Sequence, residues 1–176
     1  MNQDTRELWR RGLSFGILTG LVVGVLWWLL APGGAFYGKG TDATIWLPRD
    51  AVLGILLALA GVFSAVVTMR RSSPGHSAQG SAAKQAVAPM AIVILAVSGL
   101  VGSVVAWRMG VFAGDLFQTP PDNMPNPSIV FSLRSGPLLL VWPLLASVVL
   151  FVWSLVSYAF VPSPDETLHT TAEANG

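Results

Sequence analysis

Residues 12–31 read GLSFGILTGLVVGVLWWLLA, twenty positions without a charge, and no charge occurs anywhere between Arg11 and Lys39. Twenty residues of helix rise about 30 Å, the thickness of a bilayer's hydrocarbon core. The run carries glycine at every fourth position, Gly12, Gly16, Gly20 and Gly24. At 3.6 residues per turn these fall on one slowly rotating stripe, where missing side chains let a second helix come close. The reading is a membrane-spanning helix with one face made for packing.

The same pattern recurs along the chain. Residues 51–69 are uncharged, bracketed by Asp50 and by Arg70 with Arg71. Residues 85–107 are apolar, with Pro89 confined to the first turns, where a missing N–H costs little. Residues 137–161 follow Ser135, a candidate N-cap, and stop at Pro162 and Pro164. Candidate partners for the glycine stripe are Ser98, Gly102 and Ala106 in the third run, and Gly54, Ala58, Gly61 and Ala65 in the second. The expected fold is all-α: a single domain over residues 1–161, a bundle of four transmembrane helices with an ordered Gly/Pro-rich exterior cap. Stripe packing inside one bundle is the plainer expectation; contact with a second copy or a membrane partner is the other.

Composition agrees. The chain is 53% hydrophobic and 11% charged, against about 25% charged in soluble domains. A net charge of +1, with basic residues scattered among apolar runs, argues against nucleic acid as a partner. The absence of cysteine removes disulfides and thiolate chemistry. The first run is too long for a signal-peptide core, and Ala31-Pro32-Gly33 is no A-x-A cleavage site, so the first helix is expected to stay, although Arg10-Arg11 superficially resembles a twin-arginine signal.

If the runs alternate sides, Arg6, Arg10, Arg11, Arg70, Arg71 and Lys84 share one side, and Lys39, Arg49, Arg108 and Arg134 the other. The positive-inside bias then puts both termini in the cytoplasm and residues 32–50 and 108–136 outside. All seven tryptophans, Trp9, Trp27, Trp28, Trp46, Trp107, Trp142 and Trp153, fall near run ends, where headgroup-level anchoring is expected. The 70–84 loop, rich in Ser, Gly and Ala, and the 162–176 tail read as flexible cytoplasmic segments. His76 and His169 fall there, without a rigid surround for catalysis or metal. The 108–136 segment, with Pro120, Pro121, Pro125 and Pro127, reads as an extended exterior cap.

Two motifs fail on inspection. Gly33 to Lys39 starts like a phosphate-binding loop, but Gly40 stands where Ser or Thr must meet magnesium, and no strand precedes it. Asn126-Pro127-Ser128 is no glycosylation site because its middle residue is proline. No catalytic, cofactor-binding or metal-ligating constellation is expected.

Asp50, at the start of the second run, has a plain explanation as an acid near a helix N-terminus. The remaining candidate site is Arg49, Arg108 and Arg134, three exterior arginines that oppose the positive-inside tendency. Internal pairing with Asp50, Asp115 or Asp122, or snorkelling to headgroups, would explain them. Convergence on the phosphate or carboxylate of an anionic lipid is the functional alternative.

The stretch Trp27-Trp28-Leu29-Leu30-Ala31-Pro32-Gly33-Gly34, with Tyr37-Gly38 and Trp46-Leu47-Pro48-Arg49-Asp50, resembles a family of actinobacterial four-helix membrane proteins known only as a domain of unknown function. The resemblance implies a plasma-membrane bundle and no catalytic residues. The leading expectation is a non-enzymatic accessory or envelope-associated component that contacts the bilayer and a membrane partner or its own copy. A small transporter or channel-forming oligomer comes second, disfavoured because the four runs carry no charge. An enzyme acting on an exterior lipid-linked substrate comes third, with only Asp115, Asp122 and arginines to work with.

Overall fold

The computed structural model describes residues 3–32, 35, 46–72, 89–117 and 133–160. Four helices make up nearly all of it: α1 (Gln3–Leu30), α2 (Trp46–Ser72), α3 (Pro89–Phe117) and α4 (Val141–Phe160), the last led in by a 3-10 turn, Gly136–Leu140. There is no strand among the described residues. Each helix contains a stretch long and apolar enough to cross a membrane.

The helices outrun the uncharged runs because charge does not end a helix, whereas proline does. α1 begins at Gln3 and takes in Arg6, Arg10 and Arg11, with an exposed ion pair of 2.5 Å from Arg11 to Glu7 one turn away. α2 begins at Trp46, so Pro48, Arg49 and Asp50 are helical, with proline in the first turn where it is tolerated. α3 begins at Pro89 and runs past Trp107 to Phe117, so residues 108–117 are helix instead of extended cap. Ser135 does occupy the N-cap position of the 3-10 turn, but its hydroxyl makes no capping bond. The phosphate-loop-like stretch, apart from Ala35, lies outside the described residues, as do the proline cluster at 120–127, both histidines, and segments 73–88 and 161–176.

α1 and α3 run parallel and pack through the glycine stripe. A Cβ added at Gly12 would meet Ile94; at Gly16, the carbonyl of Ser98; at Gly20, the carbonyl of Gly102; at Gly24, the carbonyl of Ala106. The register advances in step on both helices, and each stripe glycine after Gly12 touches main chain. α2 and α4 also run parallel. Gly54 faces Leu138, and a Cβ on Gly61 would come within 2.8 Å of the Trp142 carbonyl, so these small residues serve α4 and not α1. Around the bundle the order is α1, α3, α4, α2, two antiparallel hairpins laid side by side. Sequence echoes this arrangement: Leu18, Gly20, Val22, Val23 and Gly24 recur as Leu100, Gly102, Val104, Val105 and Ala106.

Two tryptophans face the bundle's interior, an orientation that their place near a run's end does not reveal. Trp27 and Trp142 are fully buried. The reason is glycine opposite them: a Cβ on Gly102 would strike the Trp142 ring at 2.6 Å, and one on Gly110 would strike the Trp27 ring. Trp142 Nε1 donates to Ser64 Oγ at 3.1 Å, and that hydroxyl donates to the Gly61 carbonyl at 2.9 Å, so burial leaves neither group wanting. Ser98 and Ser103 donate to carbonyls of their own helix, Leu95 and Gly99. Outward, Leu18, Ile55, Leu59, Phe112 and Leu144 are all more than half exposed.

This packing makes a directional prediction. Gly16→Leu and Gly20→Leu drive a branched side chain into the α3 backbone and should destabilise by at least the ~1–3 kcal/mol typical of overpacking. Leu18→Phe, on the exposed face, should be mild. Thermal melts in detergent measure the difference; equal melts for all three variants would mean that the stripe does not pack as described.

Candidate functional site: the Arg49–Asp50 junction

At the end of the bundle where α1 finishes and α2 and α4 begin, two adjacent charged residues are buried, Arg49 at 7% and Asp50 at 2% exposure. Both sit in the opening turns of α2, at successive positions, so their side chains leave the helix about 100° apart. Each meets a different helix.

Arg49 turns to the end of α1. Its Nε donates to the Pro32 carbonyl at 3.2 Å, and its own carbonyl accepts the Trp27 Nε1–H at 3.0 Å. The last carbonyls of a helix lack intrahelical partners and carry the negative end of its dipole. A guanidinium bonded to the turn carbonyl of Pro32, just past that end, complements the field.

Asp50 turns to the start of the 3-10 turn and α4. Its Oδ2 accepts the backbone N–H of Ser135 at 2.9 Å and of Arg134 at 3.2 Å. The unpaired N–H groups at a helix start call for an acceptor, and a Ser135 hydroxyl that makes no capping bond leaves the task to a carboxylate from another helix. Asp50 thus caps, from outside, the 3-10 turn that leads into α4, across 85 residues of chain. Neighbouring residues of opposite charge each serve the helix end whose dipole suits them, and together they tie α1, α2 and α4 at one level.

The three arginines singled out by sequence lie at this end but play different parts. Arg134 stands close enough to Arg49 for their charges to repel. Its backbone N–H faces Asp50, while its side chain is exposed and forms no ion pair among the described residues. Arg108 is exposed on α3, its guanidinium carbon 4.7 Å from the centre of the Trp107 ring, a cation–π contact. Asp115 is exposed further along α3, and Asp122 is outside the described residues. Among the described residues three buried polar atoms have no partner: Asp50 Oδ1, Trp28 Nε1 and Trp107 Nε1. Among the same residues no cluster of His, Asp and Glu could hold a metal ion.

Sequence reasoning places Asp50 at the N-terminus of its own helix and misses that it serves another's. The available signal is an acid set beside an arginine at the head of an otherwise uncharged run, together with an α4 start, Ser135-Gly136-Pro137, that has no acid of its own.

Asp50→Ala strands two buried N–H donors that lose a charged acceptor, and should cost about 2–4 kcal/mol. Asp50→Asn, which keeps one acceptor oxygen, should cost less. Detergent melts of the two variants should follow that order; an Asp50→Ala protein as stable as wild type would remove the junction's structural role.

A scan against protein-family models and searches of curated proteins and of solved structures find no match to this chain.

Proposed function

We propose that the chain is a multi-pass plasma-membrane protein with both termini in the cytoplasm, a non-enzymatic accessory or envelope-associated component that presents the Arg49 end of the bundle to the exterior leaflet. The observation that supports this reading is the closed interior. Ser64, Ser98, Ser103 and Trp142 are bonded to their own helix backbones or to each other, and the Trp142 ring fills the space against Gly99 and Gly102. A bundle plugged in this way suits a scaffold better than a conduit, since transport pathways are lined with polar or ionisable groups.

The orientation rests on the six-to-four division of basic residues. Arg49 strengthens it, because an arginine committed to the end of α1 has a structural reason to lie on the exterior side. The resemblance of residues 27–50 to an actinobacterial family belongs to the same proposal. Arg134, exposed and without an ion pair among the described residues, is the arginine best able to take the anionic group of a lipid, with Arg108 on its Trp107 platform as a second.

The native chain lacks cysteine, so single-cysteine labelling is clean. An impermeant reagent on intact cells should label Thr41→Cys and spare Ser77→Cys; the reverse pattern would overturn the orientation. Anionic lipid should be retained by the wild-type protein in native mass spectrometry and lost in part from Arg134→Lys and Arg108→Lys, which keep charge but not the bidentate fork. Equal retention by wild type and both variants would reduce the arginines to boundary anchors. Co-purification in mild detergent, with mass spectrometry of the bound proteins, would identify the membrane partner.

A further inference from the structure

Contacts between parallel helices fix which residues share a height in the bundle. Gly12, Gly16, Gly20 and Gly24 of α1 meet Ile94, Ser98, Gly102 and Ala106 of α3, an offset of 82 at every step. From α2 to α4 the offset is 84: Asp50 bonds the Arg134 amide, Gly54 meets Leu138 and Gly61 meets Leu145. Residues of equal height then carry opposite chemistry on the outer surface. At the end away from Arg49, Arg10 and Arg11 of α1 are exposed, and their counterparts on α3, Ile92 and Val93, are exposed and apolar. Arg70 of α2 is exposed there too, and its counterpart on α4, Ser154, lies between exposed Trp153 and Leu155. At the Arg49 end the pattern reverses. Arg108 of α3 is exposed at the height of exposed Leu26, with exposed Leu30 one turn further out on α1. Arg134 of α4 is exposed at the height of Asp50, one turn short of exposed Leu47 on α2.

We propose that the bilayer meets this bundle on a slant, with its hydrocarbon band displaced away from the Arg49 end on the α3–α4 hairpin relative to the α1–α2 hairpin. The inference rests on the reading of the chain as a multi-pass membrane protein and adds how it sits. Both edges of the band shift in the same direction, and both hairpins share the pattern. A tilted bundle produces that with one cause, whereas partner proteins would have to cover each misplaced charge separately. On the α1–α3 pair the shift is about five residues, or about 7 Å of helix. Across two helix diameters, about 20 Å, it corresponds to a tilt of about 20°, the ordinary value for membrane helices. An upright bundle would hold Arg108 in hydrocarbon or lift Leu26 and Leu30 out of it. The slant leaves Phe112 and Leu116 of α3 in the headgroup layer, which costs less than an arginine in lipid tails.

Pairs of exposed residues at equal height make the test. Leu8 and Met90 share one height, Leu18 and Leu100 another, Leu30 and Phe112 a third. Each is replaced singly by cysteine in the full chain, which has none of its own, and labelled with a nitroxide. Depth is read from collisions with oxygen against a water-soluble nickel chelate, in vesicles of phosphatidylcholine and phosphatidylglycerol. The label at Met90 should lie about 5 Å or more deeper than the label at Leu8, and the label at Leu30 deeper than that at Phe112 by a similar amount. Labels at Leu18 and Leu100 should both lie deep in hydrocarbon. With Arg108 replaced by leucine, the label at Phe112 should sink towards the depth of Leu30; an unchanged depth would overturn the assignment of the slant to these charges. Equal depths within both end pairs, or differences of the opposite sign, would overturn the slant while deep labels at Leu18 and Leu100 keep the spanning reading. Nickel contact at Leu18 and Leu100 would overturn the spanning reading itself.

Discussion

The bundle hangs on a pair of adjacent residues that point away from each other. Arg49 bonds the carbonyl of Pro32 at the end of α1, and Asp50 bonds the amides of Arg134 and Ser135 ahead of α4. Helix ends are where a chain in an apolar setting is weakest, because four N–H or four C=O groups are left over and no water is at hand. Placing a cation at one C-terminus and an anion at one N-terminus from a single turn of a third helix resolves two such ends together. It also fixes the relative height of three helices, since a shift of one residue along α2 would swing each charge to the wrong neighbour. Trp27 reinforces the level by donating to the Arg49 carbonyl while its ring rests on Gly110.

Along the rest of the bundle, close approach replaces charge. Lipid tails are as apolar as leucine, so helices gain little by hiding leucine from them, and association depends on van der Waals contact. The α1–α3 pair achieves it by backbone against backbone at Gly16, Gly20 and Gly24. The α2–α4 pair achieves it through Gly61, beneath the Trp142 main chain, and the Trp142 ring crosses to fill the hollow at Gly102 on α3. Small residues and large indoles are two halves of one device, which is why Trp27 and Trp142 belong to the core.

Much of this is legible in the sequence, for identifiable reasons. Uncharged runs as long as residues 12–31 admit few structures other than a long helix, and glycine at four-residue spacing gives that helix a smooth face. Two candidate partners for that face are readable, Ser98, Gly102 and Ala106 in the third run and Gly54, Ala58, Gly61 and Ala65 in the second, and it is the first set that meets it. Helix ends are not. Charge reads as a boundary at Arg11, Asp50 and Trp107-Arg108, but charge alone does not end a helix, and α1, α2 and α3 each continue through it. The role of Asp50 is hidden because its partners are backbone amides 84 and 85 residues away, and main-chain donors leave no mark in a sequence. Trp142 reads as a boundary residue because proximity to a run's end says nothing about which way the ring faces.

The central claim is that a carboxylate on α2 caps the 3-10 turn that leads into α4, and residue-resolved amide hydrogen exchange on the full chain tests it most directly. The Arg134 and Ser135 amides should exchange as slowly as core amides of α1 and α3 in the wild-type protein, and rapidly once Asp50 is replaced by alanine, while the amides of Gly20 and Gly102 keep their protection. Fast exchange at Arg134 and Ser135 in the wild-type protein would contradict it.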